Sequence, residues 1–108
     1  MKQPVSIIMP VFNEERTIER ILEELFSLSM NCELIVVDDS SNDCSEKLIR
    51  KFPVRYFRNE INLGYGASLK KGITEAHYNI IVTIDADGEP TFNHEVQHRL
   101  RKRLRRES

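Results

Sequence analysis

Acidic side chains follow three hydrophobic segments that have the character of buried strands. They lie in residues 10–14, at Asp38-Asp39, and in the run Asp85-Ala86-Asp87. Clustered carboxylates repel one another unless a cation or hydrogen-bond donors compensate them. Two Asp separated by one residue suit a hard divalent ion with oxygen ligands, Mg²⁺ or Mn²⁺, which would bridge a diphosphate. A carboxylate at the second position could instead accept N–H bonds from a nucleobase.

A glycine-containing turn supplies a second group of candidates. Gly64 and Gly66 precede a helical pattern, so the backbone there could approach a phosphate at the helix N-terminus. Lys70 or Lys71, one turn later, would add a point charge. Each feature alone also has an ordinary explanation, because Asp and Gly are common in turns and paired lysines usually form a solvated helix face. The combination, repeated at successive strand ends, favours a binding site.

The elements that must position these residues alternate between strand and helix patterns. Asn13 is predicted to cap the first helix, with apolar positions recurring at helical spacing afterwards. Asp43 and Glu46 have the spacing of a capping box before a short second helix. The third helix is predicted to bury Leu69, Ile73 and Ala76. Strands are predicted at residues 5–9, 33–38, 54–57 and 79–84, the third of them at a sheet edge.

This βαβαβαβ order predicts an α/β fold, a Rossmann-like parallel sheet with helices on both faces and right-handed crossovers. In such sheets ligands bind beyond the carboxyl ends of the strands. The acidic segments should therefore converge on one rim. An EF-hand is excluded, since positions 6 and 12 counted from Asp85 hold Pro90 and Val96. A receiver-like domain is disfavoured, because its acidic pair follows the first strand and not the second.

Composition indicates one ordinary globular domain with an uneven charge. The chain has 108 residues, 40% hydrophobic and 31% charged, with a formal net charge of −1. Residues 1–92 carry ten Lys/Arg against fifteen Asp/Glu, whereas residues 93–108 carry six against two. We therefore predict an acidic domain over residues 1–92 and a basic helical tail over residues 93–108. No nucleic-acid partner is expected from this charge balance.

Cysteine usage and hydropathy indicate a reducing compartment. Cys32 and Cys44 have no zinc-ligand spacing and are expected to be free thiols. No stretch approaches the roughly 20 apolar residues of a spanning helix. We expect a cytoplasmic protein that the basic tail could hold at a membrane surface by attraction to anionic lipids. A solvated helix is the simpler interpretation of that tail.

Four segments of the chain resemble the successive motifs of family 2 glycosyltransferases. The motif sequences are most similar to those of the polyprenyl-phosphate (dolichyl-phosphate) mannosyl- and glucosyltransferase branch. The resemblance runs from about Val5 to Glu89. The segments are VSIIMPVFNEE (5–15), ELIVVDDSSND (33–43), NLGYGASLKKG (62–72) and IVTIDADGE (81–89).

The resemblance implies a glycosyltransferase A-type fold that binds a nucleoside-diphosphate sugar, with UDP and GDP as the nucleotide classes. Pro10, Phe12 and Glu14 would line the nucleoside pocket, and Asp39 with Asp38 would contact the base. Gly64, Lys70 and Asp85 would also face the nucleotide sugar. Asp85 and Asp87 would form the metal-binding D-x-D that holds Mg²⁺ or Mn²⁺. Many relatives carry Arg where this chain has Leu69, one position before Lys70.

The family continues for roughly another hundred residues after the D-x-D, a length that suits an ordinary domain. By this resemblance, residues 1–92 are expected to be the nucleotide-sugar-binding half of a truncated glycosyltransferase domain, with the acceptor site and the general base in the absent half. Transfer to an acceptor such as a polyprenyl phosphate is the inherited activity. The alternative is a non-catalytic nucleotide-sugar-binding or assembly module, which pairs with another chain or with itself through an exposed sheet edge.

Overall fold

A four-stranded parallel sheet forms the centre of the fold. The computed structural model describes residues 3–86. Its strands are β1 (Val5–Val11), β2 (Cys32–Asp38), β3 (Arg55–Arg58) and β4 (Ile80–Thr83), arranged in the order β3-β2-β1-β4. β1 and β2 are the central pair of this sheet, which explains why their sequences are almost continuously apolar. The predicted parallel α/β fold and the edge position of β3 are confirmed.

In the described part of the chain, three helices cover the two faces of the sheet. α1 (Ile18–Ser27) and α2 (Ser45–Ile49) pack on one face, and α3 (Tyr65–Glu75) packs on the other. The alternation of side chains along a strand separates the two cores. Met9 and Val36 point toward α1 and α2, whereas Ile8, Ile35 and Val37 point toward α3. The first core is the larger, because it receives the apolar stripes of two helices.

The register of the central strands brings their carboxyl ends to the same level. Val11, the last residue of β1, lies opposite Asp38, the last residue of β2. The backbone N–H of Asp39 donates to the carbonyl of Val11 at 2.7 Å, and that of Asn59 donates to the carbonyl of Asp38 at 2.9 Å. The segments that follow the strands therefore start side by side, as a site at the rim requires.

The predicted N-cap of the first helix is wrong. α1 begins at Ile18 with Thr17 as its N-cap residue, and Asn13 lies four residues earlier with a φ of 52°. The backbone N–H of Asn13 donates to Ser41 Oγ at 2.8 Å, and its side-chain oxygen accepts the N–H of Asn42 at 2.9 Å. Asn13 therefore joins the loop after β1 to the loop after β2, a tertiary role that its helix-capping propensity does not indicate.

The predicted capping box also differs from the structure. Asp43 does accept the backbone N–H of Ser45 in the first turn of α2, at 2.8 Å. Glu46, however, pairs with Arg50 at 2.9 Å and with Arg58 at 3.6 Å, so it is engaged in ion pairs on the surface of α2. Of the two residues of the predicted capping box, only Asp43 forms a hydrogen bond with the start of α2.

The buried face of α3 is made by small residues. Ser68 and Gly72 are the buried positions, Leu69 and Ala76 are partly buried, and Ile73 is 50% exposed. The prediction that Ile73 faces the core is wrong. A Cβ at residue 72 would clash with the Cγ2 methyl of Ile8, so this glycine allows the helix to approach the sheet closely. Ile73 lies at the margin of the helix face that contains Ser68 and Gly72, and its side chain is therefore half exposed.

Several predictions concern residues outside the described range. Asp87, the second residue of the D-x-D, and the basic stretch 93–108 lie beyond Ala86, as does the predicted domain boundary after residue 92. Within residues 3–86, none of the helices has the length and apolar character needed to cross a bilayer.

Candidate functional site

An open cleft of about 340 Å³ lies between the end of β1 and the start of α3, beyond the carboxyl ends of the central strands. Its size falls within the range of about 300–1,000 Å³ that is usual for small-molecule sites. The ring of Phe12 is 45% exposed beside it, a large apolar surface left open to solvent. The cleft is lined by Pro10, Val11, Phe12, Glu14, Asp39, Asn62, Gly64, Tyr65 and Ser68.

Asp39 is the best-anchored acidic side chain of this cleft. It is only 4% exposed, and its carboxylate accepts hydrogen bonds from the backbone N–H groups of Leu63 and Gly64, both at 2.8 Å, and from Asn59 Nδ2 at 2.9 Å. Burial alone would raise the pKa of Asp39, but these three donors outweigh it and lower the pKa below the ordinary value of 3.8. Asp39 is therefore a carboxylate that fixes the turn before α3.

Asp38 has a different environment, although it is adjacent in sequence. Its side chain is fully buried, and it accepts the hydroxyl of Tyr56 at 2.6 Å, Arg58 Nη1 at 3.1 Å and the backbone N–H of Ser41 at 2.9 Å. It is not among the residues that line the cleft. The alternation of side chains at the end of β2 sends Asp38 away from the cleft and leaves Asp39 beside it. The structure thus separates the two residues that the sequence grouped.

The segment from Pro10 to Glu14 is held against the loop that follows β2. The backbone N–H of Glu14 donates to Ser45 Oγ at 2.8 Å, parallel to the bond from Asn13 to Ser41. These two bonds fix the backbone directly after Phe12, and the pairing of Val11 with Asp38 fixes it directly before. Pro10, Phe12 and Glu14 line the cleft on the side of this segment.

Gly64 forms the opposite wall at the start of α3. Its φ of 100° and ψ of 167° define a backbone conformation that is essentially restricted to glycine. It caps α3, and its carbonyl accepts the N–H of Ser68 at 3.1 Å. The first turn of a helix presents backbone N–H groups without intrahelical partners, and its dipole favours an anion. Lys70 is exposed on the same helix and is not among the cleft-lining residues.

Asp85 lies just after β4 and meets the cleft through Tyr65. The hydroxyl of Tyr65 is 2.7 Å from Asp85 Oδ1, and both residues are exposed. An exposed carboxylate is a suitable hard oxygen donor for Mg²⁺ or Mn²⁺. Within residues 3–86 there is no group of three or more His, Cys, Asp and Glu side chains arranged to hold a metal ion. Asp85 is thus the described part of the predicted D-x-D.

Four of the residues that line the cleft were not predicted as site residues from the sequence, namely Val11, Asn62, Tyr65 and Ser68. Asn62 donates to the carbonyl of Asp39 at 3.2 Å, and Ser68 accepts Asn59 Nδ2 at 3.1 Å beneath the turn. Tyr65 was treated as part of a glycine turn. A tyrosine and a serine one helical turn apart, directly after a glycine at a helix start, are the pattern that could have indicated the cleft-facing side of α3.

A family model described as "Glycosyl transferase family 2" matches residues 6–103, which is most of the chain. The chain belongs to glycosyltransferase family 2. The match extends beyond residue 89, where the motifs identified from the sequence end. The structure agrees with this assignment, because the sheet is parallel and the cleft lies at the carboxyl ends of its strands, where ligands bind in such folds.

Similar proteins in this family include enzymes named for polyprenyl-phosphate acceptors. The chain is 32% identical over 89 residues to a dolichol-phosphate mannosyltransferase of Pyrococcus furiosus, covering 77% of this chain and 25% of that protein. It is 33% identical over 93 residues to an undecaprenyl-phosphate 4-deoxy-4-formamido-L-arabinose transferase of Aeromonas hydrophila, covering 77% and 28%. The chain therefore spans about a quarter of the length of these relatives.

Solved structures share the same fold. Glucosyl-3-phosphoglycerate synthase from Mycobacterium tuberculosis, in complex with Mn²⁺, UDP and glucosyl-3-phosphoglycerate, is 30% identical with a TM-score of 0.69 over 79% of this chain and 34% of that one. A mannosyltransferase from Pyrobaculum calidifontis, in complex with GDP-Man and Mn²⁺, has a TM-score of 0.75 at 24% identity, over 81% and 28%. The second likeness concerns the fold alone. Together they support the glycosyltransferase A-type architecture predicted from the sequence.

Proposed function

We propose that the cleft binds a nucleoside-diphosphate sugar, with UDP or GDP as the nucleotide, and that this chain is the donor-binding half of a glycosyltransferase. The observation that carries the proposal is the position of Asp39. This carboxylate follows a central strand, lies in a cleft at the rim, and organises the helix start across from it. A family 2 chain with this geometry has the parts needed to hold a base on one side and a diphosphate on the other.

The nucleoside would lie against the wall formed by the end of β1. Phe12 offers an exposed ring on which a base can stack, and Pro10 and Glu14 border the same space. A carboxylate has about four acceptor positions, and Asp39 uses three of them within the protein. One position is left for an N–H of the base. Asp38, whose side chain points away from the cleft, would not touch the ligand.

The diphosphate would lie at the N-terminus of α3. Gly64 lets the backbone approach the phosphates without a Cβ, since nothing lies within 4 Å of the position where that atom would be. The helix dipole favours the negative charge there. Lys70, exposed on the same helix, would add long-range attraction.

Asp85 and Asp87 would hold Mg²⁺ or Mn²⁺ beside the diphosphate. The bound ion would neutralise the charge that develops on the departing diphosphate. Asp85 supplies an exposed carboxylate of the required chemistry. The Mn²⁺ in the complex of the Mycobacterium tuberculosis synthase, which is 30% identical, supports the use of a divalent ion in this family.

Glycosyl transfer would form a bond between an acceptor oxygen and the anomeric carbon, while the bond from that carbon to the diphosphate breaks. The nucleoside diphosphate leaves with the bonding electrons. The names of the dolichol- and undecaprenyl-phosphate transferases favour a polyprenyl phosphate as the acceptor. At neutral pH a phosphate monoester is already largely ionised, so its oxygen needs little help from a general base.

Calorimetric titration of the purified chain with UDP-glucose and GDP-mannose, each with and without Mn²⁺, tests the proposal. We expect binding to one nucleotide class, strengthened by Mn²⁺, and loss of the Mn²⁺-dependent part in Asp87→Ala. Absence of binding by a chain whose circular dichroism shows a folded α/β protein would contradict a donor site. Transfer to a polyprenyl phosphate by this chain would exclude the alternative, a non-catalytic nucleotide-sugar-binding module that functions with another chain.

A further inference from the structure

Tyr65 and Asp85 are joined by a hydrogen bond that connects α3 to the end of β4. The distance from Tyr65 Oη to Asp85 Oδ1 is 2.7 Å. An ionised carboxylate only accepts hydrogen bonds, so the hydroxyl of Tyr65 is the donor. One oxygen of Asp85 is thereby oriented by a residue that also lines the nucleotide cleft.

The backbone of Asp85 is fixed on both sides. The N–H of Ile84 donates to the carbonyl of Ile8 at 3.0 Å, which continues the pairing of β4 with β1. The hydroxyl of Thr17 donates to the carbonyl of Ala86 at 3.3 Å. With the backbone held before and after it, Asp85 retains freedom mainly in its side chain, and the bond from Tyr65 restricts that freedom.

Tyr65 is itself well anchored. It is the first residue of α3 and follows Gly64, whose N–H is bound to Asp39 and whose carbonyl accepts the N–H of Ser68. Ser68 is fully buried and bonded to Asn59. The hydroxyl of Tyr65 is therefore presented from a rigid helix start, and the same set of bonds that places Asp39 also places Tyr65.

We propose that Tyr65 is a positioning residue for the metal ligand Asp85, an inference that rests on the proposed function. By engaging Oδ1, Tyr65 orders an exposed carboxylate before the ion arrives and leaves Oδ2 to bind it. Hydrogen-bonding partners of metal ligands orient those ligands, and their loss typically weakens metal binding by about 10- to 100-fold. Tyr65 thus couples the helix that faces the nucleotide to the residue that faces the ion.

The test measures Mn²⁺ binding to the whole chain by the electron paramagnetic resonance signal of free Mn²⁺, first with Mn²⁺ alone and then with UDP or GDP present. Tyr65→Phe removes the hydroxyl and keeps the ring in the cleft. We expect its Mn²⁺ dissociation constant to rise by about 10- to 100-fold. The midpoint of thermal unfolding should stay unchanged, which a merely structural role of Tyr65 would not predict.

Tyr78→Phe is the matched control, because Tyr78 is also a partly exposed tyrosine but contacts Ser6, near the opposite end of the sheet. Its Mn²⁺ affinity should equal that of the wild type. Equal Mn²⁺ affinity of Tyr65→Phe and wild type would overturn this inference alone. A wild-type chain that binds nucleotide sugar but no Mn²⁺ would overturn both the metal part of the proposed function and this inference.

Discussion

The Oδ2 atom of Asp39 lies 2.8 Å from the backbone nitrogen of Gly64. This bond joins the end of β2 to the start of α3, two elements that are separated by 25 positions in the chain. Because Leu63 donates to the other oxygen of the same carboxylate, the turn is held at two points. The geometry of the cleft therefore depends on the charge of Asp39 and on the backbone freedom of Gly64.

Substitution of Gly64 by Ala should destabilise the chain and weaken nucleotide binding. The backbone conformation of this residue is essentially restricted to glycine and costs other residues about 1–3 kcal/mol. There is no steric neighbour within 4 Å of an added Cβ, so the loss would arise from backbone strain alone. We expect urea denaturation to show a decrease of this size in the free energy of unfolding.

Gly66→Ala is the control for this change. Gly66 lies inside α3, and an added Cβ there also meets nothing within 4 Å. Alanine in a helix is favoured over glycine by about 0.5–1 kcal/mol, so this variant should be as stable as the wild type or more stable. Similar losses in the two variants would contradict the assignment of strain to Gly64.

Phe12→Ala should weaken nucleotide binding with little effect on stability. The ring is 45% exposed in the absence of ligand, so its removal costs the folded chain little buried surface. If a base stacks on it, removal should cost about 1–3 kcal/mol of binding free energy, measured by calorimetric titration with UDP and GDP.

Phe26→Ala provides the comparison. Phe26 is 40% exposed, and its ring stacks on Phe52 at a centroid distance of 5.7 Å in the α1–α2 layer. This variant should lose some stability and keep the nucleotide affinity of the wild type. Unchanged affinity in Phe12→Ala would remove Phe12 from the proposed nucleoside site.

The strands and the topology were predictable from the sequence, because buried parallel strands have nearly continuous apolar runs and connections between them follow strong chiral rules. The predictions that failed depend on contacts between distant segments. Asn13 was assigned to a helix cap from its local preference, but it binds the loop at residues 41–42. Ile73 was assigned to the core because it is apolar, but Gly72 sets the closest approach of α3 to the sheet.

The candidate site was predictable in its position and less so in its internal roles. Strand ends identified the rim, and Phe12 and Asp39 both line the cleft there. Sequence could not separate Asp38 from Asp39, because the direction of each side chain depends on the register of β2 with its neighbours. Tyr65 was not identified, since its importance arises only from its distance to Asp85.

Asp38→Ala should be among the most destabilising substitutions in the sheet. Its buried carboxylate compensates Arg58 and accepts the hydroxyl of Tyr56. Removal of the carboxylate leaves the Tyr56 hydroxyl and the backbone N–H of Ser41 without their acceptor, whereas Arg58 is exposed and keeps Glu46 as a partner. A buried donor left without an acceptor typically costs about 1–3 kcal/mol. Chemical denaturation should show a loss of this size.

Tyr56→Phe removes only one hydrogen bond to the carboxylate and should cost about 1.5–3 kcal/mol. A smaller loss in Asp38→Ala than in Tyr56→Phe would contradict this account.

The last prediction concerns acid stability. The pKa of Asp39 is lower in the folded chain than its ordinary value of 3.8, so the unfolded chain takes up the proton first as the pH falls. The contribution of Asp39 to the free energy of unfolding is thus fully present above about pH 4 and is lost as the pH falls through the folded pKa. The difference in unfolding free energy between wild type and Asp39→Asn should be constant from pH 7 to about pH 5 and should shrink below about pH 4.

Glu33→Gln is the control that separates the effect of a carboxylate on acid stability from an effect on nucleotide binding. Burial would raise the pKa of Glu33, but hydrogen bonds from Ser6, His77 and Arg55 outweigh it and lower the pKa below the ordinary value of 4.5. Its contribution to stability should fade over a similar acid range. Glu33 is the second residue of β2 and lies at the end of the sheet opposite the cleft. This variant should therefore retain nucleotide affinity, whereas Asp39→Asn should lose it. Retention of full affinity by Asp39→Asn at pH 7 would show that Asp39 has a structural role only.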